Sequence, residues 1–84
     1  MHMEQSDFER APLKEKVYKV LEGGKPIADR RFLYFQIRLY ALYDFFAEVW
    51  YIPSANKIDR VETIKLDDML KVYDSSFNIS DLLD

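Results

Sequence analysis

Residues 31–52 run for 22 positions without a glycine or a proline. Phe, Tyr, Trp, Ile and Val dominate this stretch. A single helix of that length would span ~33 Å. A domain of this size has a radius of gyration of only ~12 Å, so such a rod would cross the whole molecule and show aromatics around its circumference. Aromatic and β-branched side chains fit a pleated, half-buried surface better, so Arg31–Ile52 reads as a β-hairpin.

Period two sets its register. In the first arm Leu33, Phe35, Ile37, Leu39 and Ala41 are all apolar, while Phe32, Tyr34, Gln36, Arg38 and Tyr40 mix aromatic with polar. In the second arm Phe45, Ala47, Val49 and Tyr51 alternate with Phe46, Glu48, Trp50 and Ile52. A two-residue turn at Tyr43-Asp44 would pair odd positions with even ones and push Glu48 onto the apolar face. A lone buried carboxylate costs several kcal/mol. A three-residue loop around Asp44 pairs odd with odd, keeps one face apolar and is therefore expected.

The remaining elements follow from local signals. Pro12–Glu22 reads as a helix with Leu13, Val17, Val20 and Leu21 on one stripe. Gly23-Gly24 reads as its left-handed stop, and residues 23–29 as a loop. Pro53–Asn56 is a turn, and Lys57–Lys65 a third, polar strand at a sheet edge. Leu66–Tyr73 reads as a helix with Asp67 as N-cap and Met69, Leu70 and Tyr73 buried. Ser75-Ser76 should end it, with Phe77 and Ile79 packing and Ser80 capping a last turn through Leu82-Leu83. Residues 1–10 read as a disordered N-terminal segment, and residues 11–84 as one small domain.

The fold class expected is α+β: a three-stranded antiparallel β-meander flanked in sequence by an N-terminal and a C-terminal helix. Both helices would cover the odd face of the sheet. The core would then hold Leu33, Phe35, Ile37, Leu39 and Val49, with Leu13, Val17, Leu21, Met69 and Leu70 packed on them.

Composition removes several chemistries. There is no cysteine and a single histidine, His2. Neither a nucleophile–histidine pair, nor a thiolate or histidine metal site, nor a disulfide framework is expected. Asp67-Asp68 and Asp44/Glu48 are the carboxylate clusters, and neither has calcium-loop spacing. Gly23-Gly24-Lys25 lacks the spacing of a phosphate loop. No cofactor, metal or enzymatic activity is expected. The net charge of −3 argues against nucleic acid as a partner. No 18-residue apolar window exists, because Arg38, Asp44 and Glu48 interrupt the best stretch, so no membrane span is expected. No secretory leader is visible in the first residues, and a cytoplasmic location is expected.

Function is sought on the even face. Tyr34, Arg38, Tyr40, Phe46, Glu48 and Trp50 would form an exposed, ring-rich patch of the residue types that dominate protein interfaces. Arg38 and Glu48 would form a cross-strand ion pair, with Arg38 able to stack on Trp50. The expected role is a protein-interaction module, a homodimer or a binder of another protein. Two alternatives use the same scaffold. One is a single-stranded RNA binder with Arg30, Arg31 and Arg38 as a basic rim. The other is a small-ligand pocket between sheet and helices.

Overall fold

The computed structural model describes residues 3–73. In chain order these form α1 (Gln5–Arg10), α2 (Leu13–Gly23), β1 (Lys25–Phe32), β2 (Phe35–Leu42), β3 (Phe45–Ile52), a 3-10 turn (Pro53–Ala55), β4 (Lys57–Ile64) and α3 (Leu66–Val72). The strands make one antiparallel sheet in the order β1-β2-β3-β4. The class is α+β with helices at both ends of a meander, but the meander has four strands rather than three. The final turn expected around Phe77–Leu83 lies outside the described residues.

The extra strand comes from the segment read as a loop. The first hairpin turn falls at Leu33-Tyr34, inside the run taken for one continuous strand, and Phe32 pairs with Phe35. Leu33 there takes φ 55°, a left-handed conformation usually left to Gly, Asn or Asp. Nothing in its side chain announces the turn. Upstream, Pro26 is tolerated because β1 is an edge strand, and the register shifts between Pro26 and Ala28.

The second turn overturns the expected register. Leu42 pairs directly with Phe45, so the connection is the two residues Tyr43-Asp44, with Tyr43 at φ 57°. Gln36 faces Tyr51, Arg38 faces Val49 and Leu39 faces Glu48. The odd positions of β2 therefore share a face with the even positions of β3. This is the arrangement that the cost of burying Glu48 had argued against.

Both faces are covered, each by different helices. The first carries Leu42, Phe45, Ala47, Val49 and Val61, packed with Phe8 of α1 and Val20 of α2. The second carries Leu39 under Met69 of α3 and Tyr73, which directly follows it, with Phe35, Ile37 and Trp50 forming a neighbouring cluster. The two helices expected on one face thus lie on opposite faces. Four residues expected in the core are exposed instead: Leu13, Leu21, Leu33 and Leu70. Leu33 leaves it because the turn lifts it off the sheet.

Three local expectations are also corrected. Gln5–Arg10, read as disordered, form a helix whose Phe8 is fully buried. Neither Gly23, the last residue of α2, nor Gly24 has a positive φ. Gly24 instead serves close approach, since a Cβ there would meet the Val20 carbonyl oxygen at 2.5 Å. At α3 the N-cap is Lys65, without a side-chain bond, and Asp67 and Asp68 sit inside the first turn, where they complement the helix dipole.

Candidate functional site

Across the second face one row of neighbours runs Arg30 on β1, Ile37 on β2, Trp50 on β3 and Arg60 on β4. Glu48 lies one row away, between Leu39 and Glu62. It is 3% exposed. Its partners come from elements distant in sequence. Arg30 Nε donates to Glu48 Oε2 at 2.9 Å, and Arg30 Nη2 donates to Oε1 at 3.2 Å. The Tyr73 hydroxyl donates to Oε2 at 2.6 Å. Two-pronged guanidinium binding plus a short hydroxyl bond is the arrangement that makes a buried carboxylate tolerable.

Trp50 ties this cluster to the β4 edge. The Arg60 guanidinium carbon lies 4.0 Å from the Trp50 ring centre, and that of Arg30 lies 5.2 Å away. The Arg60 guanidinium also lies over the Phe35 ring, at 5.3 Å. Arg60 is held in turn by Asp59, at 2.9 Å from Nη1, and by Glu62, at 3.0 Å from Nε. The Glu62 oxygen lies off the Nε–H axis, so that second contact is an ion pair without a hydrogen bond. Trp50 Nε1 is buried and has no hydrogen-bond acceptor among the described residues.

The cluster fixes protonation states. Burial pushes the Tyr73 phenol above its ordinary value, and the hydrogen bond to anionic Glu48 pushes it further. Hydrogen bonding to Glu48 raises the Arg30 guanidinium, outweighing its own desolvation. Tyr73 should therefore stay protonated through the range in which a free phenol, near 10, ionises. A folded pKa above the unfolded one gives stability that is complete below about pH 10 and is lost as pH climbs through the folded value. The unfolding midpoint is expected to start falling above about pH 10, and Tyr73→Phe to remove part of that fall. An alkaline stability profile identical in wild type and Tyr73→Phe would exclude the bond.

The six residues sought as one patch are divided. Glu48 and Trp50 are buried on the second face, and Phe46 is half-buried there beside Leu39 and Met69. Arg38 and Tyr40 lie on the first face, where Arg38 Nε donates to Asp29 Oδ1 at 2.8 Å. Tyr34 sits in the β1–β2 turn with its ring 4.5 Å from that of Phe35. The expected Arg38–Glu48 pair and the stacking of Arg38 on Trp50 are replaced by Arg38–Asp29, Arg30–Glu48 and Arg60–Trp50. Sequence reasoning missed Tyr73 and Arg60 as parts of this cluster, and named Arg30 only as a basic rim. The available signal was Glu48 itself, because a buried carboxylate demands a cation from elsewhere in the fold.

Exposed features outside this cluster include Leu13, Tyr18 and Leu21 on α2, the β1–β2 turn and more than one shallow cleft. Phe32, Leu33 and Tyr34 at the β1–β2 turn are 51%, 78% and 63% exposed. On the first face, beside α2, a cleft of about 280 Å³ is lined by Leu21, Arg38, Tyr40, Val49, Tyr51 and Ile58. Small-molecule sites typically span ~300–1,000 Å³, so the cleft falls just short of that range. Among the described residues no cluster of three potential metal ligands occurs, and no helix is long and apolar enough to cross a membrane. Comparison with known proteins finds no matching family model, no matching curated protein and no matching solved structure.

Proposed function

We propose that the chain is a non-enzymatic protein-interaction module that docks through the Phe32-Leu33-Tyr34 turn. The observation that carries this reading is the combination at Leu33. A branched apolar side chain stands 78% exposed on a backbone at φ 55°. Such conformations cost on the order of 1–3 kcal/mol outside glycine and tend to persist where function requires them. Glycine would fit this turn better, and leucine gains nothing there from burial in its own core. A partner's apolar groove would supply that burial, with Phe32 and Tyr34 flanking the anchor.

The competing readings have less support. Arg30 and Arg38, two of the three arginines of an RNA rim, are already neutralised by Glu48 and Asp29. Glu48, the one buried carboxylate among the described residues, has Arg30 and Tyr73 as partners and faces away from the cleft. It therefore offers no free base to a substrate.

The test places a photo-crosslinking amino acid at Tyr34 in cells that express the chain. The crosslinked protein is then purified and titrated calorimetrically against wild type and Leu33→Gly. The reading expects binding to weaken at least about tenfold in Leu33→Gly, the loss of one good anchor. It also expects the unfolding midpoint to hold or rise, because strain is relieved. Adducts abolished by ribonuclease, or equal affinity for both forms, would overturn the reading.

A further inference from the structure

The two edges of the sheet are treated differently. At β4 the edge is guarded. Both edge strands carry four charged side chains, Lys25, Asp29, Arg30 and Arg31 on β1 and Lys57, Asp59, Arg60 and Glu62 on β4, but at β4 Lys16 Nζ of α2 also approaches the Val61 carbonyl oxygen at 3.5 Å, and Thr63 bonds Glu9 of α1. At β1, among the described residues, Pro26 and the irregularity beside it interrupt the edge near its start. From Ala28 to Phe32 the strand pairs regularly with β2 on one side.

The turn determines which backbone groups of this stretch face outward. Phe32 and Phe35 close a two-residue turn, so the pair bonds across it. Hydrogen-bonded and non-hydrogen-bonded pairs alternate along an antiparallel ladder. Arg30 therefore also bonds inward to Ile37, whereas Asp29 and Arg31 turn their N–H and C=O away from β2. A strand added here must bond to Asp29 and Arg31.

We infer that β1 pairs with β1 of a second copy, antiparallel about a two-fold axis through Arg30, so that Asp29 of each chain faces Arg31 of the other. The charges choose this register. A shift of the centre to residue 29 sets two aspartates opposite each other, and a shift to residue 31 sets two arginines opposite each other. Like charges directly across a ladder destabilise it. With the axis at Arg30, both outward-bonding pairs are oppositely charged, and about four main-chain hydrogen bonds form. Arg31 is exposed and makes no ion pair among the described residues. The two central arginines tolerate proximity because each guanidinium is held by its own Glu48. On the second face Ala28 would lie opposite half-exposed Phe32, a small residue beside a large one. The result is one eight-stranded sheet with the β4 edges outermost. This edge is a different surface from the exposed turn, and neither reading requires the other.

An interface of about five residues a side falls in the small, transient class, so the dimer should form in the micromolar range. Sedimentation equilibrium of the whole chain, from about 5 to 500 µM, is expected to show a concentration-dependent rise from one to two chains. Asp29→Arg alone and Arg31→Asp alone should each weaken association at least tenfold. The first variant carries arginine at both outward-bonding positions, and the second carries aspartate at both. In a 1:1 mixture a heterodimer of the two therefore sets opposite charges across every such pair, and it should return to within about threefold of wild-type affinity. Independently of any variant, amide exchange at Asp29 and Arg31 should slow as wild-type concentration rises. A wild type that stays monomeric at the highest concentration would overturn the inference. So would a dimer indifferent to both variants, a folded mixture that fails to associate, or concentration-independent exchange at those two amides.

Discussion

Arg30→Met is expected to destabilise the protein by about 3–5 kcal/mol, because it leaves the Glu48 carboxylate buried without its cation. A chain of 84 residues has a total stability of only about 4–13 kcal/mol, so at the lower end of that range such a loss would unfold much of the population at room temperature. Among the described residues the Tyr73 hydroxyl would remain as the donor to Glu48. It cannot replace a full opposite charge. Removing the carboxylate as well changes the sign of the argument. Arg30→Met combined with Glu48→Leu and Tyr73→Phe replaces the network by apolar groups of similar volume, a change that is often neutral or stabilising. Denaturant midpoints should therefore fall steeply for the single variant and recover for the triple one. Parallel losses in both would mean that Arg30 acts through packing on Trp50 and Tyr73 rather than through charge. The comparison also separates stability from specificity. A triple variant that is stable but loses the register of β2 against β3 would show that the ion pair selects which side of the ribbon faces inward.

That register marks where the sequence stopped being legible. The strand character of 31–52 could be read, because aromatic and β-branched side chains at period two have few other uses. The helices at 12–22 and 66–73 could also be read, from their apolar stripes. The first hairpin turn could not, and of the second the place around Asp44 could be read but not the length. Leu33 and Tyr43 adopt positive φ without the side chains that usually mark it, so nothing local distinguished a two-residue turn from three. The argument then rested on Glu48, and its physics was sound but incomplete. A lone carboxylate is expelled from a core, but a carboxylate with Arg30 two strands away and Tyr73 25 residues along is accepted. Those partners are non-local, and no pattern within one strand reveals them. The same limit explains the division of the expected binding patch, since a one-residue change in pairing moves every side chain of an arm to the opposite face. It also shows why β1 was missed. Pro26 argues against a central strand, yet it is compatible with the edge position that the fold provides.

The N-terminal segment carries the other large effect. Phe8→Ala is expected to cost about 3–5 kcal/mol, the range for truncating a buried phenylalanine. Residues 1–10 read as disordered because Phe8 stands there without apolar periodicity, and a six-residue helix has no stability of its own. Packing explains why it forms. Phe8 is fully buried, and its ring lies 5.3 Å from that of Phe45, in a cluster with Val20, Leu42 and Val61. α1 thus covers the part of the first face around Phe45 and Thr63, beside α2. A cavity there would remove support from both β3 and β4, so the loss should appear as one cooperative drop in the unfolding midpoint rather than as fraying of the first residues. Amide exchange distinguishes these outcomes. Protection in β3 and β4 should fall with global stability in Phe8→Ala, whereas a segment merely resting on the domain would leave strand protection intact. Phe8→Leu, which keeps most of the apolar volume, should recover the larger part of the loss.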